Sequence, residues 1–261
     1  MNRYLDAEAW RVVEKGFNPD NMRSSESMFS IGNGRFGQRA NHEEGYSGDH
    51  MLGSYVGGVY YPDRTKVGWW KNGYPEYFAK VLNATNWTRT DVVVNGQALD
   101  LNVAKSIEGF KRVLDMRRGL LQRTCTVELP DGAKIKLETE RFISMASPNR
   151  AAVEVRVTPL HGVKTLEVRP MLDGDVSNED TNWDDSFWRH EGHESHPDAG
   201  TSVLWNTTEK TEFTVACAQA VNLSGATWTG MEAVKATGLG ASFESPEALR
   251  AAPQRPCAHA G

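Results

Sequence analysis

Three imidazoles fall three residues apart in the run His190-Glu191-Gly192-His193-Glu194-Ser195-His196. On a helix that spacing would turn His190, His193 and His196 toward one metal ion. Gly192 and Pro197 oppose a stable helix, and the run is not the HExxH signature of zinc proteases. A metal site also needs a rigid outer shell, so the run reads as a solvated polar loop and no metal is expected. Just upstream, Asp184 and Asp185 stand between Trp183 and Trp188. Paired carboxylates are the tools of glycoside cleavage, but they must flank a sugar bond roughly 5–9 Å apart. Adjacent residues in one loop do not give that geometry; an acidic loop anchored by two tryptophans is the favoured reading. A third group is aromatic: Tyr55, Tyr60, Tyr61, Trp69, Trp70, Tyr74, Tyr77 and Trp87 crowd into residues 41–90. Such rings stack on sugar faces. They also fill interfaces between domains, which is slightly the better reading from the residues alone.

Other chemistries lack their signatures. No serine sits in a G-x-S-x-G elbow. Gly32-Asn33-Gly34 and Gly57-Gly58 are not a G-x-G-x-x-G phosphate loop. Cys125, Cys217 and Cys257 form no C-x-x-C pair, so a zinc finger and a disulfide framework are both unexpected, and a reducing, cytoplasmic compartment fits. In 261 residues, 29 Lys and Arg stand against 34 Asp and Glu, leaving −5. A mildly acidic chain without a basic run argues against general nucleic-acid or anionic-membrane binding. With 39% hydrophobic and 24% charged residues the chain is globular. The N-terminal MNRYLDAEAWRVVEKGF has no apolar signal core, and no segment is apolar enough to span a membrane.

The elements that must carry these residues are strands. Leu121, Arg123, Cys125, Val127 and Leu129 alternate with Gln122, Thr124, Thr126 and Glu128; Pro130-Asp131-Gly132 then turns the chain into Ile135 and Leu137. This is a hairpin with one buried and one wet face. Val153, Val155 and Val157 repeat the alternation, as do Leu166 with Val168 and Phe213 with Val215 and Cys217. Val92-Val93-Val94 runs into Asn95-Gly96, a type I′ turn signal. Phe29-Ser30-Ile31 reads as a further strand before Gly32-Asn33-Gly34. About nine or ten short strands and no long amphipathic helix predict an all-β, large antiparallel sandwich. Residues 173–200 read as a second loop. After about Met231 the alternation fades; residues 1–240 are expected to form the sandwich and 241–261 a disordered tail.

Glu26-Ser27-Met28-Phe29-Ser30-Ile31-Gly32-Asn33-Gly34-Arg35-Phe36-Gly37-Gln38-Arg39-Ala40 resembles the opening segment of glycoside hydrolase family 65, which includes maltose, trehalose and kojibiose phosphorylases. GSYVGGVYYPD (Gly53 to Asp63), VLNATNW (Val81 to Trp87), VVVNGQALDL (Val92 to Leu101), VLDMRRGLLQRT (Val113 to Thr124) and ETERFISMASPN (Glu138 to Asn149) are similar to its following segments, in order. The run Trp69 to Ala84 is most similar to the maltose-cleaving branch.

The resemblance implies a galactose mutarotase-like super-sandwich as the N-terminal domain of a longer enzyme. There, an (α/α)6 barrel follows the sandwich and holds the general-acid Glu and the phosphate site. No catalytic residue of the family therefore maps onto this chain, which alone is expected to be inactive. The full enzyme would split an α-linked glucose disaccharide with inorganic phosphate and invert the anomeric centre; no metal or organic cofactor is implied. The sandwich would pack on its own barrel, support a homodimer and close one side of the sugar pocket, through Tyr60, Tyr61, Trp69, Trp70, Tyr74 and Trp87, and through Trp183, Asp184, Asp185 and Trp188. Two alternatives remain: a stand-alone carbohydrate-binding module, and an aldose 1-epimerase-like enzyme using His42, His50 or His161 as the acid. The latter rests on fold analogy alone.

Overall fold

A computed structural model describes residues 4–65, 75–179, 186–225, 227–234 and 236–243. Within these, strands dominate. They are β1 (Leu5–Ala7), β2 (Arg11–Lys15), β3 (Ile31–Gly32), β4 (Phe36–Gln38), β5 (Ser54–Val56), β6 (Tyr60–Arg64), β7 (Tyr77–Val81), β8 (Thr90–Val94), β9 (Gln97–Ala98) and β10 (Ser106–Asp115). They continue with β11 (Leu120–Glu128), β12 (Lys134–Ile143), β13 (Ala151–His161), β14 (Leu166–Asp173), β15 (Trp188–His196), β16 (Thr201–Thr208), β17 (Thr214–Ala220), β18 (Thr227–Val234) and β19 (Ala236–Phe243). The only α-helix among the described residues is α1 (Met22–Met28). None is long and apolar enough to cross a membrane.

The pairings are antiparallel. A six-stranded sheet runs β1-β2-β10-β11-β12-β13, and a five-stranded sheet runs β18-β19-β14-β8-β9. Two three-stranded sheets, β15-β16-β17 and β3-β4-β5, and the β6–β7 hairpin complete the fold. The main core lies between the first two sheets. Phe110, Cys125, Val127, Ile135 and Leu137 pack against Val92, Val94, Leu99 and Leu166. Period-two patterning explains this: Cys125 pairs with Leu137 and Val127 with Ile135 across β11 and β12, so their side chains share one face.

Turn chemistry sets the register. Asn95 (φ 52°) and Gly96 (φ 79°) both adopt the left-handed conformation a type I′ turn requires. Asn95 also ties three turns together. Its Nδ2 donates to Asp131 Oδ2 (2.9 Å) and the Gly162 carbonyl, and its Oδ1 accepts from the Lys164 amide (2.7 Å). In the Gly32-Asn33-Gly34 turn, Asn33 Oδ1 accepts from the amides of Arg35 and Phe36, while Nδ2 donates to the carbonyls of Ser144 and Pro148.

Two expectations change. Phe29 is not in a strand: its amide donates to the Ser25 carbonyl (3.0 Å) and it ends α1, so the strand starts at Ile31. Residues 173–200 are not one loop. His190 to His196 belong to β15, because β16 offers a full ladder against which even a polar strand can pair. β18 and β19 fall in the expected 1–240 sandwich, with β19 running three residues past it. The Gly- and Ala-rich sequence of β19 hides the pattern, yet β19 pairs with both β14 and β18 up to Phe243. The remainder of the expected tail, residues 244–261, lies outside the described residues.

Candidate functional site

The inner face of the six-stranded sheet changes from apolar to charged along its strands. β10, β11 and β12 present Arg112, Arg123 and Arg141, all buried. The segment from α1 to Tyr46 lies across them and supplies counter-charges to Arg123 and Arg141, while β2 supplies Glu14 to Arg112. Arg123 grips Glu44 with both guanidinium nitrogens, Nη1 to Oε1 at 2.6 Å, and reaches Glu43 Oε2 at 2.8 Å. Arg141 Nη1 lies 3.3 Å from Glu43 Oε1, and Arg112 Nε lies 3.5 Å from Glu14 Oε2. α1 positions Ser25 to donate to Glu14 (2.7 Å) and sets Glu26 to accept from Asn41 and the Met51 amide, both at 2.8 Å.

Burial and these charges set the protonation states. Burial lowers the Arg123 guanidinium, but Glu44 and Glu43 more than reverse this and hold it above its ordinary value. Burial pulls Arg112 down to about 10, against the attraction of Glu14. Burial opposes ionisation of Glu43, yet Arg141 and Arg123 hold its carboxyl below the usual range. Burial pushes Glu26 up despite its two hydrogen bonds. His42 is pushed well below the ordinary imidazole value by burial, then by Arg123, Arg112 and Arg141. Its Nε2 accepts from Arg112 Nη2 at 3.0 Å. The imidazole is thus held neutral with that lone pair engaged, a poor acid for a sugar. His50 Nδ1 donates to the Gly48 carbonyl (2.8 Å), and His161 is exposed at the end of β13. These ion pairs clamp the 22–46 segment onto the sheet, although Glu14 Oε2, Arg112 Nη1 and Arg141 Nε and Nη1 are buried without a hydrogen-bond partner among the described residues.

A second region gathers the aromatic residues. Tyr61 on β6 is buried beside Phe187, with ring centroids 4.5 Å apart, in a cluster that includes Leu82 and Trp188. Trp188 Nε1 donates to the Asn83 carbonyl at 2.7 Å. Lys80, across from Tyr61, pairs with Asp63 and stands 5.0 Å over the Phe187 ring. The aromatic and acidic segments therefore meet here, with Tyr61 and Trp188 as internal anchors. Tyr60 points outward and packs edge-on against Phe213 at 5.5 Å. Phe213 lines a groove of about 640 Å³ together with Arg35, Phe36, Trp87, Asn149 and Thr214. Trp87 meets Phe36 edge-to-face at 6.1 Å. Two ring pairs thus border this groove, Phe36 with Trp87 inside it and Phe213 with Tyr60 at its edge. Trp69, Trp70, Tyr74, Trp183, Asp184 and Asp185 lie outside the described residues.

A profile of the glycosyl hydrolase family 65 N-terminal domain matches residues 12–248. The chain belongs to family 65. It is 39% identical over 226 residues to the maltose phosphorylase of Bacillus subtilis (strain 168), covering 85% of this chain and 30% of that protein. It is 28% identical over 178 residues to the kojibiose phosphorylase of Thermoanaerobacter brockii, covering 68% and 21%. A solved structure described as a kojibiose phosphorylase from the human microbiome superposes with a TM-score of 0.78 at 28% identity, over 92% of this chain and 31% of that one. The chain thus spans between a fifth and a third of the length of these relatives.

Three of the six family-like segments supply part of the charge layer. Glu26, Arg39, Arg123 and Arg141 all fall in them, and Asn33 with Gly34 makes the turn that holds Ser144. The partners Glu14, His42, Glu43, Glu44 and Arg112 were not singled out as a set from the sequence. A signal existed: Arg123 alternates with Leu121 and Cys125 on the buried face, and a buried arginine demands carboxylates.

Proposed function

We propose that this chain is the non-catalytic β-sandwich of an inverting α-glucoside phosphorylase, with maltose as the substrate. In the full enzyme a Glu of the barrel protonates the leaving glycosidic oxygen while inorganic phosphate attacks the opposite face of the sugar. No organic cofactor enters this step. The sandwich seats the barrel, supports the dimer and rims the sugar pocket. The observation that carries this reading is the 39% identity to a maltose phosphorylase of which the chain covers only 30%. The engagement of the buried carboxylates Glu43 and Glu44 by arginines supports it. The surface running from Tyr60 to Trp87 is the face assigned to the barrel and the sugar.

The test is reconstitution. The chain is mixed with a separately produced catalytic portion of a maltose phosphorylase, and glucose 1-phosphate is followed with maltose and phosphate. Activity that needs both pieces supports the reading. A catalytic portion whose stability and turnover ignore the added sandwich contradicts it.

The groove of about 640 Å³ favours a second reading, sugar binding by the sandwich itself. Titration of the chain with maltose, followed by tryptophan fluorescence, decides it: saturation supports it and a flat response to high sugar removes it.

A further inference from the structure

We propose that His190 and His193 form a two-imidazole chelate for a divalent transition-metal ion of the zinc class, on strand β15. The site is separate from the sandwich role proposed above and takes no part in phosphorolysis.

The strand geometry makes the pair. Residues three apart on a regular strand face opposite sides. Here His190 pairs with Asn206 and His193 with Leu204, so three steps on β15 run against two on β16. The extra residue is a β-bulge, and it returns both imidazoles to one face. Gly192 permits it: a Cβ there would stand 2.6 Å from the Trp205 ring.

The nitrogens are spaced for one ion. His190 Nε2 and His193 Nδ1 are 3.2 Å apart. Two nitrogens each bound at about 2.0–2.1 Å to a tetrahedral zinc lie about 3.3–3.4 Å apart. The rings are nearly parallel, 30° between planes, and the pair is exposed to solvent. His190 is also oriented from behind. Its Nδ1 lies 3.0 Å from Oδ1 of the buried Asn206. An amide oxygen only accepts, so Nδ1 carries the proton and the Nε2 lone pair is available. This is the outer-shell arrangement that metal-binding histidines use.

Without metal, His193 Nδ1–H donates to His190 Nε2. With metal, His193 moves its proton to Nε2 and both lone pairs face the ion. Among the described residues no group of three or more His, Cys, Asp or Glu converges to hold an ion, so water completes the shell. His196 is excluded: it lies three strand residues beyond His193, about 10 Å along the strand, on the other face.

The test uses the full chain with any affinity tag removed. Zinc chloride is titrated by calorimetry and by NMR of the histidine ring nitrogens. The expected result is one ion per chain, with His190 and His193 perturbed. His190→Ala and His193→Ala, each shown folded by circular dichroism, should weaken binding at least tenfold, since losing even an outer-shell partner of a metal ligand costs about that much. His196→Ala should leave it unchanged, and magnesium should give no response, since it avoids imidazole. No binding up to about 1 mM zinc, which would also leave stability unshifted, overturns the proposal. So does binding that survives the double variant, or that is lost in a folded His196→Ala protein.

Discussion

Arg112 and Arg123 stand directly opposite each other on β10 and β11, both buried. Two cations in register inside a protein repel unless carboxylates surround them. Glu14 serves the first, and Glu43 and Glu44 serve the second. The layer therefore works only as a set, and removing one member leaves its partners charged and unpaired.

Arg123→Met tests this. It strands Glu44 in the core, leaves Glu43 with Arg141 alone, and should destabilise the chain by about 3–5 kcal/mol. Adding Glu44→Gln should restore part of the loss, because one stranded charge is gone. Urea unfolding of the three proteins reads both effects. Equal stability of Arg123→Met and the parent would show that the layer does not carry the fold.

The layer also sets a pH dependence. His42 is depressed below about 6.5 in the folded chain, so below that pH the unfolded chain takes up a proton that the folded chain refuses. Its stabilising contribution is present above pH 6.5 and is lost as pH falls, at up to about 1.4 kcal/mol per pH unit. Glu26 is raised and opposes this above its unfolded value: the folded chain keeps its proton longer, and stability falls as pH rises. Glu26→Gln should therefore steepen the loss of stability as pH falls toward the unfolded carboxyl value near 4.5. An unchanged slope would contradict the assignment.

These two predictions rest on a feature only half visible in the sequence. The β11–β12 hairpin, the Asn95-Gly96 turn and the inward side of β13 follow from period-two alternation and turn residues, which act locally. The position of Arg123 on the buried side was legible in the same way. Its partners were not, because Glu43 and Glu44 lie 80 and 79 residues away in the chain on an irregular segment, and only tertiary packing brings them over. β15 was misread for a related reason: its polar run carries no apolar face, and its strand character comes from β16. The meeting of Tyr61 with Phe187 likewise joins residues 126 positions apart, which no local pattern records.

Asn95 is a local test. Asn95→Ala places a Cβ-bearing residue without a local side-chain bond at φ 52° and removes the links to Asp131 and Lys164. A loss of about 2–3 kcal/mol is expected, from the left-handed backbone and the lost hydrogen bonds. The Asp131 carboxyl, held low first by Asn95 and then by the Ala133 amide, should rise in this variant. Carboxylate NMR checks it; an unmoved Asp131 would mean that the contact is absent in solution.

Glu128 gives an acid-range marker. Hydrogen bonds from Lys105 and Lys134 bring it down to about 2. Being depressed, its contribution is full above the unfolded value near 4.5 and fades as pH falls toward 2. Lys105→Ala should move its titration upward, and carboxylate NMR in both proteins reads the shift. Identical titration curves would remove the pairing.

The proposed division of labour leaves the proton donor and phosphate site to other polypeptide than these sheets. The direct measurement is glucose 1-phosphate released by the purified 261-residue chain from maltose and inorganic phosphate. No release above buffer is the predicted result, and sustained turnover by the chain alone would contradict it.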